Sequence, residues 1–165
     1  MPYQYPNASR VGLEDYSTHW PVDVTAQTVL DLGADYGSTA KFFLEQGARQ
    51  IIAVEGDPAL FSRLKQLAAQ DPRITAISLF IQNPKQLEEL LTSFYPEVVK
   101  MDIEGAEAYL LTASPQIVGL PQLYAVETHN DQLHVQVLDY FSRLGYRVLH
   151  DFRLIAWYYV TVFSK

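Results

Sequence analysis

Short β-branched segments alternate with segments of helical periodicity along most of this chain, and this alternation restricts the fold more than any other feature. It is typical of βαβ units, in which helices cover a parallel sheet. With 165 residues, the chain has the length of one ordinary domain. We therefore expect a single α/β domain, with strands at residues 28–32, 50–55, 74–80, 98–103 and 122–128.

Local start and stop signals mark the helices between these strands. Asp57-Pro58 and Asn83-Pro84 each place a capping side chain before a proline at the first helical position. A further helix is predicted at residues 131–145, because its last residue is a glycine suited to a left-handed end. Residues 146–163 contain two strand-like runs with a break around 151–153, which predicts a C-terminal antiparallel hairpin.

Residues 1–27 are rich in Tyr, Pro and Asp and show no sustained period, so we predict an N-terminal loop or short cap before a domain at 28–165. No apolar run approaches the ~20 residues that a membrane-spanning helix needs. No secretory signal is recognisable at the N-terminus either. We expect a cytoplasmic protein that does not associate with membranes.

Charge and cysteine content exclude several classes of function. Nineteen acidic residues against twelve basic ones give a net charge of −7, and the basic residues form no cluster, so nucleic acid is not expected as a partner. The chain has no cysteine, which excludes disulfides, thiolate metal sites and cysteine nucleophiles.

A glycine-containing turn follows the first predicted strand. Gly33 and Gly37 lie just before a helix that we expect to open near residue 38, and small residues allow the backbone to approach a ligand closely. Glu55 ends the second strand, where a carboxylate can accept both hydroxyl hydrogens of a ribose. Both features lie at the carboxyl edge of the sheet, where α/β proteins bind ligands.

The turn differs from a dinucleotide fingerprint, which needs G-x-G-x-x-G to hold a pyrophosphate. Here the pattern is D-x-G-x-x-x-G, and two carboxylates near a pyrophosphate would be unfavourable but suit an ammonium and a sulfonium. This favours S-adenosylmethionine over NAD. The predicted cofactor-binding residues are Asp31, Gly33, Asp35, Gly37 and Glu55. The alternative is that Asp31 and Asp35 only cap turns and the helix.

Four segments of the chain resemble, in order and spacing, the FkbM-type class I methyltransferases. They are residues 31–37, 54–58, 99–107 and 126–129. The K-x-D-x-E-G-x-E string within the third segment is the most distinctive of the four, and the resemblance extends over residues 28–150.

The resemblance implies a Rossmann-like, doubly wound, mostly parallel sheet of seven strands that binds S-adenosylmethionine and methylates oxygen on small molecules or sugars. By this likeness Asp31, Gly33 and Gly37 wrap the methionine part of the cofactor, and Glu55 holds its ribose. Asp35 departs from the family, which more often has an uncharged small polar residue at this position.

Charged residues alternate along the fourth strand and its exit. Lys100, Asp102 and Glu104 would point to one side of the strand, and charged side chains are scarce in the centre of a parallel sheet. We interpret them as lining a cleft. The alternatives are a structural ion pair between Lys100 and Asp102, and first-turn acids of the next helix at Glu104 and Glu107.

Methyl transfer to an alcohol requires alignment of the acceptor and removal of its proton. Glu104 and His129 are the candidate bases, while Asp102 would line the methyl-donor site or orient the acceptor. An orienting or capping role is the alternative for His129, and the other histidines are assigned no role. Asp102, Glu104 and His129 could approach one another as an oxygen-and-imidazole site, but they form no close-spaced ligand motif, so the sequence does not demand a metal and we assign none.

The sequence thus predicts an S-adenosylmethionine-dependent methyltransferase that acts on a small hydroxylated acceptor. Two alternatives stay open: an NAD-dependent enzyme, and a non-catalytic module that keeps the fold and acts by binding a partner. A homodimer through the exposed side of the last strands is also left open.

Overall fold

The computed structural model describes residues 16–155 and 157–165, so the greater part of the predicted N-terminal loop lies outside the described residues. The strands are β1 Thr28–Leu32, β2 Gln50–Glu55, β3 Ile74–Ser78, β4 Val98–Met101, β5 Leu123–Thr128, β6 Arg147–Ile155 and β7 Tyr158–Ser164. The helices are α1 Tyr16–His19, α2 Ser38–Glu45, α3 Pro58–Ala68, α4 Pro84–Phe94, α5 Pro115–Val118 and α6 Asp131–Arg143, with a 3-10 helix at Ala106–Leu111.

The seven strands form one mixed sheet in the order β3-β2-β1-β4-β5-β7-β6. The strands from β1 to β5 pair in parallel, and β7 joins the sheet antiparallel to β5, with β6 at the edge. This confirms the predicted doubly wound, Rossmann-like sheet with a C-terminal hairpin. The strand order reverses between β1 and β4, and such a reversal opens a ligand-binding crevice at the carboxyl ends of the strands.

Both faces of the sheet are covered, which explains why most residues of its central strands are apolar. One face packs against α4, α5 and α6 through residues such as Leu91, Val118 and Phe141. The other packs against α2 and α3, and Trp20 and Val24 belong to that second core. The described part of the predicted N-terminal loop therefore packs against the domain.

Capping side chains begin three of the helices, as the sequence indicates for the first two. Asp57 accepts hydrogen bonds from the backbone N–H groups at the start of α3, and Asn83 does the same for α4. Asn130 caps α6 in the same way. These side chains satisfy donors that the helix itself leaves free.

Some predicted boundaries are wrong. β3 ends at Ser78 and β4 at Met101, each two residues earlier than expected, because the ladders between neighbouring strands stop there. The hairpin does not break at residues 151–153, which lie inside β6. Register irregularities in β6 interrupt its apolar pattern, and an edge strand tolerates polar residues on its solvent side.

Among the described residues, no helix combines the length and the apolar character required to cross a membrane.

Candidate functional site

The glycine turn after β1 is held tightly against β2 and β4. The backbone N–H groups of Gly33 and Ala34 both donate to the carbonyl of Val54 at 3.0 Å. Gly33 has a φ of 77°, and a Cβ at this position would lie 1.8 Å from the carbonyl oxygen of Asp102. At Gly37, with a φ of 96°, a Cβ would lie 2.5 Å from the Leu67 side chain. The left-handed conformation favours glycine at both positions, and at Gly33 the backbone carbonyl of Asp102 also leaves no space for a side chain.

Asp31 is fully buried beneath this turn. Its carboxylate accepts a hydrogen bond from the Thr39 hydroxyl at 2.5 Å and forms an ion pair with Lys100 at 3.1 Å. The Lys100 ammonium also donates to the carbonyl of Gly33 at 2.7 Å and lies 5.3 Å from the centre of the Trp20 ring. Asp31 therefore has its charge balanced inside the protein, and it positions the turn through Lys100.

The pairing of Lys100 follows from strand register. Lys100 lies directly opposite Asp31 across β1 and β4, so the two side chains project from the same face of the sheet. Burial alone would lower the pKa of Lys100, but the charges of Asp31 and Asp102 raise it above its ordinary value. Lys100 thus pairs with Asp31. The structural ion pair between Lys100 and Asp102, which was the alternative interpretation of the sequence, does not form.

Glu55 lies beside the glycine turn, as the sequence predicts. Its buried carboxylate accepts one hydrogen bond from the backbone N–H of Asp35 at 2.9 Å and another from that of Asp57 at 2.7 Å. Two fixed donors hold the group in one orientation, and each carboxylate oxygen retains a further acceptor position. A rigid acceptor pair of this kind can bind two neighbouring hydroxyl groups.

Asp35 is the exposed carboxylate of the turn and has a left-handed backbone, with a φ of 54°. Desolvation and then the nearby charge of Glu55 raise its pKa. The carboxylates beside the turn, Asp35 and Glu55, thus repel one another. A cationic ligand group beside them would relieve this repulsion, whereas a phosphate would increase it.

A second group of charged side chains lies at the carboxyl ends of β4 and β5. We refer to Asp102, Glu104, Glu107, Glu127 and His129 as the acid–imidazole cluster. His129 Nε2 lies 3.5 Å from Asp102, 3.7 Å from Glu104 and 3.6 Å from Glu127, and its Nδ1 lies 3.3 Å from Glu107. Four carboxylates therefore surround one imidazole.

Burial differs strongly within this cluster. The Glu107 side chain is fully buried and His129 is 10% exposed, whereas the Glu104 side chain is 77% exposed. Glu104 has a left-handed φ of 55° and is followed by Gly105 with a φ of 94°, so this turn carries the Glu104 carboxylate outward. Glu104 is consequently the member that a ligand reaches first.

The surrounding charges alter the protonation of the cluster. Burial opposes a charge on His129, but its contacts with Asp102 and Glu107 outweigh burial and raise the pKa of His129 to about 10. Burial likewise opposes a charge on Asp102, and His129 and Lys100 hold the pKa of Asp102 below its ordinary value. Desolvation raises the pKa of Glu104. Of the two candidate bases, Glu104 is the exposed one, and the raised pKa of His129 also favours Glu104 for this role.

Comparison with known proteins identifies the architecture. No protein-family model and no curated protein sequence matches the chain. A precorrin-6y C5,15-methyltransferase from Geobacter metallireducens superposes with a TM-score of 0.62 at 13% identity, covering 86% of this chain and 81% of that one. The Aeropyrum pernix fibrillarin, solved with bound S-adenosyl-L-methionine, has a TM-score of 0.68 at 13% identity, covering 87% and 69%.

A ribosomal protein L11 methylase from Lactobacillus delbrueckii subsp. bulgaricus is similar to the same degree, with a TM-score of 0.63 and 14% identity over 88% of this chain and 72% of that one. The chain has the class I methyltransferase fold. At these identities the substrates of the similar proteins cannot be assigned to this chain. The resemblance to FkbM-type methyltransferases stays a prediction from the sequence motifs.

Some residues of the site were missed by sequence reasoning. Glu127 lies in the fourth segment of the resemblance, but the sequence indicates no role for it, and it indicates Glu107 only as a first-turn acid of the next helix. His19 contacts Glu127 at 2.9 Å although 108 positions separate them, and no local pattern signals that contact. Trp20, which covers Lys100, was likewise not expected in the core.

Proposed function

We propose that this protein is a methyltransferase that uses S-adenosylmethionine to methylate a hydroxyl oxygen of a small molecule or sugar. The observation that supports the proposal most is the Glu55 carboxylate, held by two backbone N–H groups directly beside the glycine turn. A ribose would be bound by that carboxylate, and the glycine turn beside it would contact the rest of the cofactor through its backbone.

Charge favours a cationic cofactor over a dinucleotide, although the carboxylates responsible are not the pair that the sequence indicates. Lys100 neutralises Asp31, so Asp31 contributes little repulsion toward a phosphate. The unbalanced carboxylates are Asp35 and Glu55, and they suit the ammonium and sulfonium of S-adenosylmethionine. The third glycine of the dinucleotide fingerprint is also missing from the turn.

In the proposed reaction, the acceptor oxygen attacks the methyl carbon of the sulfonium in line with the breaking carbon–sulfur bond. A carbon–oxygen bond forms, S-adenosylhomocysteine leaves, and the hydroxyl proton passes to a carboxylate. Glu104 is the proposed proton acceptor because it is the exposed carboxylate of the acid–imidazole cluster. Asp102 and His129 are proposed to orient the acceptor beside it.

A small, uncharged acceptor is supported by the charge of the whole protein. The net charge of −7 disfavours polyanionic substrates, and the site that would receive the acceptor is itself rich in carboxylates. Membership of the FkbM-type methyltransferases is proposed on the K-x-D-x-E-G-x-E string that supplies Lys100, Asp102, Glu104 and Glu107.

Calorimetric titration tests the cofactor assignment. S-adenosylmethionine and S-adenosylhomocysteine should bind the wild-type protein, and Glu55→Ala should abolish the binding of both. Glu45→Ala is the matched control, because that glutamate is exposed on α2 away from the turn, and it should bind as the wild type does. Binding of NAD alone would refute the proposal. Release of S-adenosylhomocysteine in a screen of hydroxylated acceptors would then identify the substrate.

A further inference from the structure

The acid–imidazole cluster carries more negative charge than its internal contacts balance. Three carboxylates face His129 Nε2 at 3.5–3.7 Å, and each of these distances exceeds the ~2.7–3.2 Å of an ordinary N–H···O hydrogen bond. A proton on Nε2 would therefore make no good hydrogen bond to any of them. The position in front of this nitrogen is suited to a larger cation.

The opposite side of the imidazole is supported by a buried carboxylate. Glu107 Oε1 lies 3.3 Å from His129 Nδ1 and also accepts from the backbone N–H of Ile103 at 2.8 Å. Glu107 Oε2 and His129 Nδ1 are buried and have no hydrogen-bond partner among the described residues. A carboxylate on the Nδ1 side of the ring is typical of a metal-binding histidine, and a metal ion at Nε2 would displace the proton that this nitrogen carries.

The spacing of three potential ligands is compatible with coordination. Each of Asp102, Glu104 and His129 offers one ligand atom, and these atoms all lie within 4.8 Å of one another. Two ligands that each lie about 2.1 Å from a metal ion are about 3.0–3.4 Å apart in octahedral or tetrahedral geometry. The observed distances of 3.5 and 3.7 Å from Nε2 need only a small contraction.

We propose that Asp102, Glu104 and His129 form a binding site for a divalent metal ion. Asp102 and His129 lie in the partly buried interior of the site, and the exposed Glu104 would close onto the ion from the turn before Gly105. The sequence shows no close-spaced ligand motif for a metal, because the ligands come from two separate strand ends. It is the pairing of β4 with β5 that brings those ends together.

The donor set indicates which ions the site would take. Two carboxylates and one imidazole suit Mn²⁺ or Zn²⁺ better than Mg²⁺ or Ca²⁺, which prefer oxygen ligands alone. Three protein ligands leave coordination positions open on the exposed side. In the role that rests on the proposed methyltransferase function, an acceptor hydroxyl would occupy one of them and lose its proton more readily, with the second oxygen of Glu104 as the acceptor.

Uptake of Mn²⁺ tests the site without any cofactor or acceptor. The full chain is treated with a chelator and titrated with Mn²⁺, and the electron paramagnetic resonance signal of free Mn²⁺ reports binding. We expect one ion per chain, with affinity at least tenfold weaker in Glu104→Gln and in Asp102→Asn. Glu107→Gln should weaken binding about 10–100-fold, because it disturbs the residue behind the imidazole.

Glu45→Gln is the matched control and should bind Mn²⁺ as the wild type does, since that carboxylate is exposed and lies outside the cluster. Glu104→Gln changes an exposed side chain, so this variant should fold normally, which circular dichroism checks. Uptake of Zn²⁺ in a parallel titration, with the same loss in Glu104→Gln, would also support the site.

Two results would overturn the proposal. One is a wild-type chain that takes up neither Mn²⁺ nor Zn²⁺; the other is uptake that is unchanged in both Glu104→Gln and Asp102→Asn. Because S-adenosylmethionine is absent from these titrations, a negative outcome here is distinct from a failure of cofactor binding.

Discussion

Loss of the Lys100 ammonium should be among the most damaging single changes in this protein. The Lys100 and Asp31 side chains are 2% and 0% exposed, and their charged atoms are 3.1 Å apart. Lys100→Met would leave the Asp31 carboxylate buried with only the Thr39 hydroxyl as a partner. Breaking a buried pair by removing one partner costs about 3–5 kcal/mol of folding free energy.

This loss is measurable because it is a large part of the total free energy of unfolding, which is typically ~5–15 kcal/mol for a domain of this length. At about 2–4 °C per kcal/mol, Lys100→Met should lower Tm by about 6–20 °C. Urea denaturation followed by circular dichroism measures the free energy directly. Lys85→Met is the control, because Lys85 is 81% exposed and its ion pair with Glu89 contributes no more than about 0.5 kcal/mol.

A double variant separates the ion pair from simple loss of packing. Replacing both charges, in Asp31→Asn/Lys100→Met, removes the unpaired carboxylate and should recover most of the lost stability. The reasoning would be refuted if Lys100→Met cost less than about 1 kcal/mol, or if the double variant were as destabilised as the sum of the two single variants.

Two further changes test other parts of the fold. Gly33→Ala would place a Cβ 1.8 Å from the carbonyl of Asp102, so we expect loss of folding. Gly145 has a similar φ of 83° but open space around it, so Gly145→Ala should lower the free energy of unfolding by only about 1–2 kcal/mol in urea denaturation. Equal stability of these variants would contradict the close approach at Gly33. Burial favours the neutral form of Glu97, but a backbone N–H and Arg49 outweigh it and lower its pKa from 4.5. A carboxylate whose pKa is lowered by folding stabilises the folded state above pH 4.5, and this stability is lost as the pH falls through the lowered pKa. The difference in free energy of unfolding between wild type and Glu97→Gln should therefore shrink in acid. A difference that stayed constant from pH 7 to pH 2 would show that this carboxylate is not stabilised by folding.

The sheet was predictable because its signals are local. β-branched runs marked β1 and β2 at their observed bounds, and Asp57 and Asn83 marked the starts of α3 and α4. The glycine turn and Glu55 could be placed together because parallel strands end at a common edge.

The partners of the charged residues were not predictable in the same way. The partner of Lys100 depends on the register between β1 and β4, and sequence separation gives no information about that register. The contact of His19 with Glu127 depends on where α1 packs. The convergence of four carboxylates on His129 combines the end of β4, the 3-10 helix and the end of β5, so it emerges only when the chain is folded.

The central claim is that the turn containing Gly33 and Gly37, together with Glu55, holds S-adenosylmethionine. The most direct test is to record amide ¹H–¹⁵N chemical shifts while S-adenosylhomocysteine is added to the isotopically labelled protein. The account predicts that the largest changes lie at residues 33–37 and 55–57. Changes confined to other parts of the chain, or changes at this turn with NAD but none with S-adenosylhomocysteine, would contradict it.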